Sequence, residues 1–119
     1  MKIANLKDKA AIVGAGSTEF SKNSGRSELS LACEAILAAL NDAGLKPSDV
    51  DGMITYTMDN NDEIEIARAI GCNDLSYYSR VPHGGGAGTG TIQQAAMAIA
   101  TGAAEVVVCW RALNGRSGH

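Results

Sequence analysis

The residues from Val81 to Gly102 carry no Asp, Glu, Lys or Arg, and five of the seven positions from Gly84 to Gly90 are glycine. Glycine lets the backbone turn sharply and approach a ligand closely. The next run, Thr91-Ile92-Gln93-Gln94-Ala95-Ala96-Met97-Ala98-Ile99-Ala100, suits a helix packed closely by other protein. A glycine elbow that opens an uncharged helix can hold an anion or a carbonyl oxygen, because the first amides of a helix have no partner within it. His83 stands beside the glycines and can donate a hydrogen bond or carry a proton. It also fits an ordinary loop histidine that finds a partner locally.

Other patterns carry less. Gly14-Ala15-Gly16-Ser17-Thr18-Glu19 comes after an apolar run and resembles the start of a dinucleotide fingerprint, but Glu19 stands at the third glycine position. Phe20-Ser21-Lys22-Asn23-Ser24-Gly25 is loop-like where the helix should open, so an ordinary turn is expected. Asp59, Asp62, Glu63 and Glu65 lack calcium-loop spacing, and His83 and His119 have no companions at zinc spacing; no metal is expected. Cys33, Cys72 and Cys109 are odd in number and far apart, which fits reduced, buried structural thiols better than a disulfide framework.

Alternating strand and helix patterns place these residues. Ala10–Gly14 reads as a short buried strand. Ser27 or Ser30 can cap a helix with Leu29, Ala32, Cys33, Ile36, Leu37 and Leu40 on one face, stopped at Gly44. Lys46–Asp49 is a turn, and Val50–Thr57 a second strand. Asp62 is expected to cap a helix over Glu63–Ile70, which Gly71 ends. Ser76–Val81 has β character, a helix is expected from about Thr89 to Thr101, and Glu105–Trp110 completes the series. The pattern predicts an α/β fold with βαβ units and a mainly parallel sheet in one domain over residues 1–119.

Composition bounds the setting. A net charge of −3 and a pI near 5.2 argue against nucleic-acid binding. The charge is uneven: residues 1–26 hold five basic and two acidic side chains, and residues 47–76 hold seven acidic and one basic, both read as solvated surface. No apolar run is long enough to span a bilayer, and nothing near Met1 reads as a secretory signal, so a cytoplasmic protein is expected. Val106–Arg111 suits a central strand covered on both faces, yet only residues 112–119 remain after it, so a truncated chain or one completed by a partner is expected.

The path from Gly84 through Gly102 into Glu105-Val106-Val107-Val108 resembles the nucleophile elbow, buried helix and following strand of the thiolase superfamily. The opening Ala11-Ile12-Val13-Gly14-Ala15-Gly16-Ser17-Thr18-Glu19-Phe20 and the Ser30–Val50 helix-turn agree with the N-terminal portion of that fold. The resemblance implies a thiolase-like layered architecture of which this chain covers the N-terminal half. Thiolases carry their nucleophile in a Cys-x-x-Gly pattern, and spacing back from Ala100-Thr101-Gly102 sets Gly88 at the Gly and Gly85 at the Cys. Glycine cannot form the acyl-enzyme, which needs a thiolate.

Gly84–Gly88, Gln93–Ala98 and Cys109–Ser117 together are similar to the lipid-transfer and sterol-carrier thiolase-like proteins, some of which are aldolases that cleave steroid side chains attached to coenzyme A. The resemblance implies retro-aldol cleavage of a β-hydroxyacyl-CoA thioester, with His83, Gly84, Gly85, Gly86 and Gly88 around the substrate. Coenzyme A enters as part of the substrate and no other cofactor is implied. Such a reaction needs a base and a way to stabilise an enolate oxygen, not a nucleophile. The family's base is expected in the C-terminal half, which leaves His83 as the local candidate. A homodimer through the Tyr77–Val81 strand is also implied, and whether an accessory subunit joins it is left open by the sequence. A non-catalytic acyl-CoA-binding or scaffold protein of the same fold remains the alternative, and ordinary thiolase activity ranks last.

Overall fold

A computed structural model describes residues 10–19, 27–56, 63–72, 74–81 and 87–112. Helix α1 spans Glu28–Ala43, and Ser27 caps it by accepting a hydrogen bond from Ser30 N at 3.1 Å. Gly44 ends it in the left-handed region at φ 73°, where glycine carries no Cβ penalty. A 3-10 turn over Pro47–Asp49 leads into strand β1, Gly52–Tyr56. Helix α2 is Glu63–Ile70, strand β2 Tyr77–Val81, helix α3 Ala87–Thr101 and strand β3 Val107–Cys109. Asp62, expected to cap α2, lies outside the described residues.

The three strands form one sheet in the order β2-β1-β3, and both pairings are parallel. The α/β class and the parallel sheet are as the sequence pattern predicts. Successive side chains of a strand point to opposite faces. Met53 of β1 therefore joins Ala32, Ile36 and Leu40 of α1, Ile66 and Ile70 of α2, and Trp110 in a core on one face. Helix α3 lies across all three strands on the other face. Thr55 is fully buried and donates from Oγ1 to Trp110 O at 3.0 Å, which ties the end of β3 to β1.

Three expectations fail in whole or in part. Ala10–Gly14 forms no strand: it pairs with nothing among the described residues, and Ile12 and Val13 are 77% and 63% exposed. An apolar run becomes a strand only when a neighbour takes its backbone hydrogen bonds, and no described strand lies beside it. Leu37, placed on the apolar face of α1, is 43% exposed; Ala32, Ile36 and Leu40 are the buried residues of that face, with Leu29 and Cys33 packed partly against the core. The strand expected over Glu105–Trp110 pairs over Val107–Cys109 alone.

Asp51 fixes the other end of the sheet. Its carboxylate accepts hydrogen bonds from Glu105 N at 3.0 Å and Val106 N at 2.9 Å, and its main-chain oxygen accepts from Ser76 N at 2.8 Å and Tyr77 N at 3.2 Å. One residue thus sets where both neighbours of β1 begin. Among the described residues no helix is long and apolar enough to cross a membrane.

Candidate active site

In an open parallel α/β sheet, ligands bind beyond the carboxyl ends of the strands. Here Tyr56 pairs with Val81 and Ile54 with Cys109, so the strand ends lie together, and α3 starts at Ala87, six residues after Val81. Its first amides and positive dipole end therefore face that edge of the sheet. Gly90 allows the close approach: a Cβ there would stand 3.3 Å from Val81 Cγ1. Gly88 lies in the first turn of α3. His83, Gly84, Gly85 and Gly86 lie outside the described residues, between two elements whose ends are fixed.

Helix α3 is held against β2 by a contact that composition and spacing did not single out. Gln94 Oε1 accepts from Ser79 Oγ at 2.6 Å and from Tyr77 OH at 3.4 Å. Tyr77 and Ser79 are two apart on a strand and share a face. The readable signal was an amide in the middle of an uncharged, Ala-rich helix, since a partly buried amide needs partners.

Cys109 does not substitute for a thiol at the elbow. It sits on β3, where Sγ donates to Thr91 O of α3 at 3.5 Å. Burial pushes its pKa up, partly opposed by the Thr91 side chain, and burial likewise raises Cys33 and Cys72. All three thiols are free, and they are half-buried rather than fully buried as the sequence suggested. Protonated, partly covered thiols are poor nucleophiles, which agrees with a structural role.

Gly14 and Gly16 also have a structural use. A Cβ on Gly16 would stand 2.5 Å from both Ala35 O and Ala39 N, and one on Gly14 would strike Ala39 O and stand 2.9 Å from Ala43 Cβ. The segment lies directly on the backbone of α1, and Ala15 N donates to Asp42 Oδ2 at 3.0 Å. A helix fills the space a pyrophosphate would need, so the turn is no dinucleotide site. Of the acidic group Asp59, Asp62, Glu63 and Glu65, only the side chain of Glu65 is described, and it is exposed.

Comparison with known proteins agrees with this geometry. Residues 10–110 match the thiolase N-terminal domain family. A steroid side-chain-cleaving aldolase of Thermomonospora curvata is 66% identical over 113 residues, covering 95% of this chain and 29% of the relative. A 17-hydroxy-3-oxo-4-pregnene-20-carboxyl-CoA lyase of Mycobacterium tuberculosis is 62% identical over the same length, again 95% of this chain and 29% of the relative. The chain thus spans less than a third of the length of these enzymes. Among solved structures, an Ltp2-ChsH2(DUF35) aldolase superposes with a TM-score of 0.89 at 67% identity, over 92% of this chain and 28% of that one. A priming β-ketosynthase of the R1128 polyketide pathway shares the fold at 21% identity, with a TM-score of 0.61 over 73% of this chain and 28% of that one. With a parallel sheet, a helix that starts at its carboxyl edge and a family match over residues 10–110, the chain belongs to the thiolase family and carries that family's N-terminal domain.

Proposed function

We propose that this chain is the N-terminal part of an acyl-CoA lyase that cleaves a carbon-carbon bond in a steroid side chain by a retro-aldol reaction. One observation carries the reading: two enzymes named as an aldolase and a lyase of this kind match 95% of the chain at 66% and 62% identity. Gly85 at the position of the family nucleophile supports it, because retro-aldol cleavage needs no acyl-enzyme.

In this reaction a base takes the proton from the β-hydroxyl, and the bond between the hydroxyl-bearing carbon and the carbon α to the thioester breaks. The hydroxyl carbon leaves as a ketone, and the electron pair moves onto the thioester as an enolate, which takes a proton to give a shortened acyl-CoA. The amides of Gly84–Gly88 at the start of α3 are the proposed holders of the enolate oxygen. His83 is the proton carrier nearest to them in sequence, and the family's base is expected outside this chain.

The substrate would be a CoA thioester of the type named for the mycobacterial relative. Partners are proposed on similar grounds. The solved aldolase contains a DUF35 subunit, which supports an accessory subunit here. β2 lies at the edge of the described sheet with Tyr78 63% exposed, which supports a homodimer through Tyr77–Val81. Free thiols support a reducing, cytoplasmic setting.

The test incubates the gene product carrying this chain, with and without a DUF35-type subunit, with 17-hydroxy-3-oxo-4-pregnene-20-carboxyl-CoA. Mass spectrometry should find a ring ketone and a shortened acyl-CoA in equal amounts. Binding without cleavage would leave the scaffold reading. Loss of turnover on alkylating one essential thiol would restore ordinary thiolase chemistry.

A further inference from the structure

Helix α3 lies on the sheet with Ala95 and Ala98 buried beneath it, and alanine methyl groups offer little to interlock with the strands. Apolar burial is also non-directional. Such contacts hold the helix on the sheet without fixing its rotation, which is left to polar tethers. Thr101 Oγ1 turns back to Met97 O at 2.9 Å within its own helix, and the Cys109 thiol that reaches Thr91 O at 3.5 Å is a weak donor. Gln94 makes the short bond. Its Oε1 accepts from Ser79 Oγ at 2.6 Å and from Tyr77 OH at 3.4 Å.

Helical periodicity carries this grip to the start of α3. Gln94 stands seven residues after Ala87, almost two full turns, so the two lie on one side of the helix about 10 Å apart. Gly90, one turn before Gln94, is on that side as well, where a Cβ would stand 3.3 Å from Val81 Cγ1. Ser79 and Val81 thus mark two points along β2 on a line that leads from Gln94 to the first amides of the helix. Small rotations matter there. With a helix radius of about 2.3 Å, turning α3 by about 20° moves each Cα by about 0.8 Å. A misplacement of about 1 Å at reacting groups can cost about 10²-fold in rate.

We propose that Gln94 is a positioning residue for the carbon-carbon cleavage: gripped by Ser79 and Tyr77, it fixes the rotation of α3 and so aims the amides of Ala87 and Gly88 at the enolate oxygen. The inference rests on the lyase reading above and adds to it a residue two turns away from the amides that act. Charge reaches the thioester oxygen only as the carbon-carbon bond breaks, so amides aimed at it favour the transition state over bound substrate. Loosening the grip therefore lowers kcat and leaves KM unchanged.

The test compares the gene product carrying this chain, in the presence of a DUF35-type subunit, with its Gln94→Leu, Ser79→Ala and Gln94→Glu variants on 17-hydroxy-3-oxo-4-pregnene-20-carboxyl-CoA. Amide exchange in peptides over residues 87–91 is read in parallel by mass spectrometry. Gln94→Leu and Ser79→Ala should each lower kcat by at least about tenfold at unchanged KM and speed exchange over 87–91. Gln94→Glu keeps an acceptor oxygen in both protonation states and should retain most of the wild-type kcat. Ser79→Ala removes one hydroxyl and keeps the test decisive if Gln94→Leu fails to fold. A tether that is structural alone would lower the melting temperature and leave kcat of the folded enzyme intact, which would overturn the proposal, as would an equal loss of kcat in Gln94→Glu. A wild-type protein that releases no ketone would instead defeat the lyase reading. Exchange would then decide the role of Gln94 by itself: faster exchange over 87–91 supports it, and unchanged exchange overturns it.

Discussion

Gln94 on α3 and Ser79 on β2 meet through a 2.6 Å hydrogen bond in which the serine hydroxyl donates to the amide oxygen, and Tyr77 adds a second, longer donor from the same face of the strand. This pair links the edge strand of the sheet to the helix that begins at the elbow. Gln94→Leu keeps the volume and removes the acceptor. It should cost about 1–2 kcal/mol, seen as a lower urea midpoint at unchanged m value. If the helix also rotates on the sheet, the amide signals of residues 87–91 will shift in an NMR spectrum, whereas those of α1 will not.

Asp51 gathers Glu105 N and Val106 N on one carboxylate. Hydrogen bonds to a charged group are stronger than neutral ones, so Asp51→Ala should destabilise by about 2–3 kcal/mol. Asp51→Asn keeps one acceptor and should lose roughly half of that. Equilibrium urea unfolding measures both.

Gly16→Ala places a methyl group where Ala35 O and Ala39 N already stand within 2.5 Å. Relief requires the 10–19 segment to lift from α1, at a cost of about 1–3 kcal/mol. Faster amide exchange at Ala15, whose N–H now reaches Asp42, would register the movement. An unchanged exchange rate would mean that the contact is not made in solution.

The thiols give a pH dependence with a defined sign. Burial raises Cys33, Cys72 and Cys109, the last against a smaller opposing effect of the Thr91 side chain. The folded state then holds these protons more tightly than the unfolded state. Their contribution is fully present below the unfolded thiol value, about 8.5, and is lost as pH rises through the higher folded values. Stability should therefore fall above about pH 8.5, and Cys109→Ser should flatten that fall. Urea midpoints between neutral and alkaline pH measure it.

Gly85→Cys would place a thiol two residues before the first residue of α3. A helix N-terminus lowers a nearby thiol pKa, so the new group should react with iodoacetamide at neutral pH at least about tenfold faster than the three native cysteines. Peptide mapping after brief labelling would show it. Equal rates at all four sites would place the elbow away from the helix end and weaken the proposed oxyanion role of Gly84–Gly88.

Features set within a few residues were legible in the sequence. A Ser27 cap and a Gly44 stop bound α1, Gly71 ends α2, and the uncharged run from Gly88 to Thr101 forms α3, because a helix closes its hydrogen bonds within its own segment. Alternation of these helices with β-branched runs was enough for a parallel α/β sheet, and that Gly85 carries no thiol is a matter of residue type alone. Tertiary structure decided the rest. Ala10–Gly14 has the apolar pattern of a strand and forms none, since a strand depends on neighbours far away in the chain. The use of Gly14 and Gly16 as a bed for α1, the grip of Gln94 on β2 and the reach of Asp51 to Val106 join residues 15 to 55 positions apart. Short-range pattern carries no record of such contacts; only the packing of helix on sheet brings their partners within hydrogen-bonding distance.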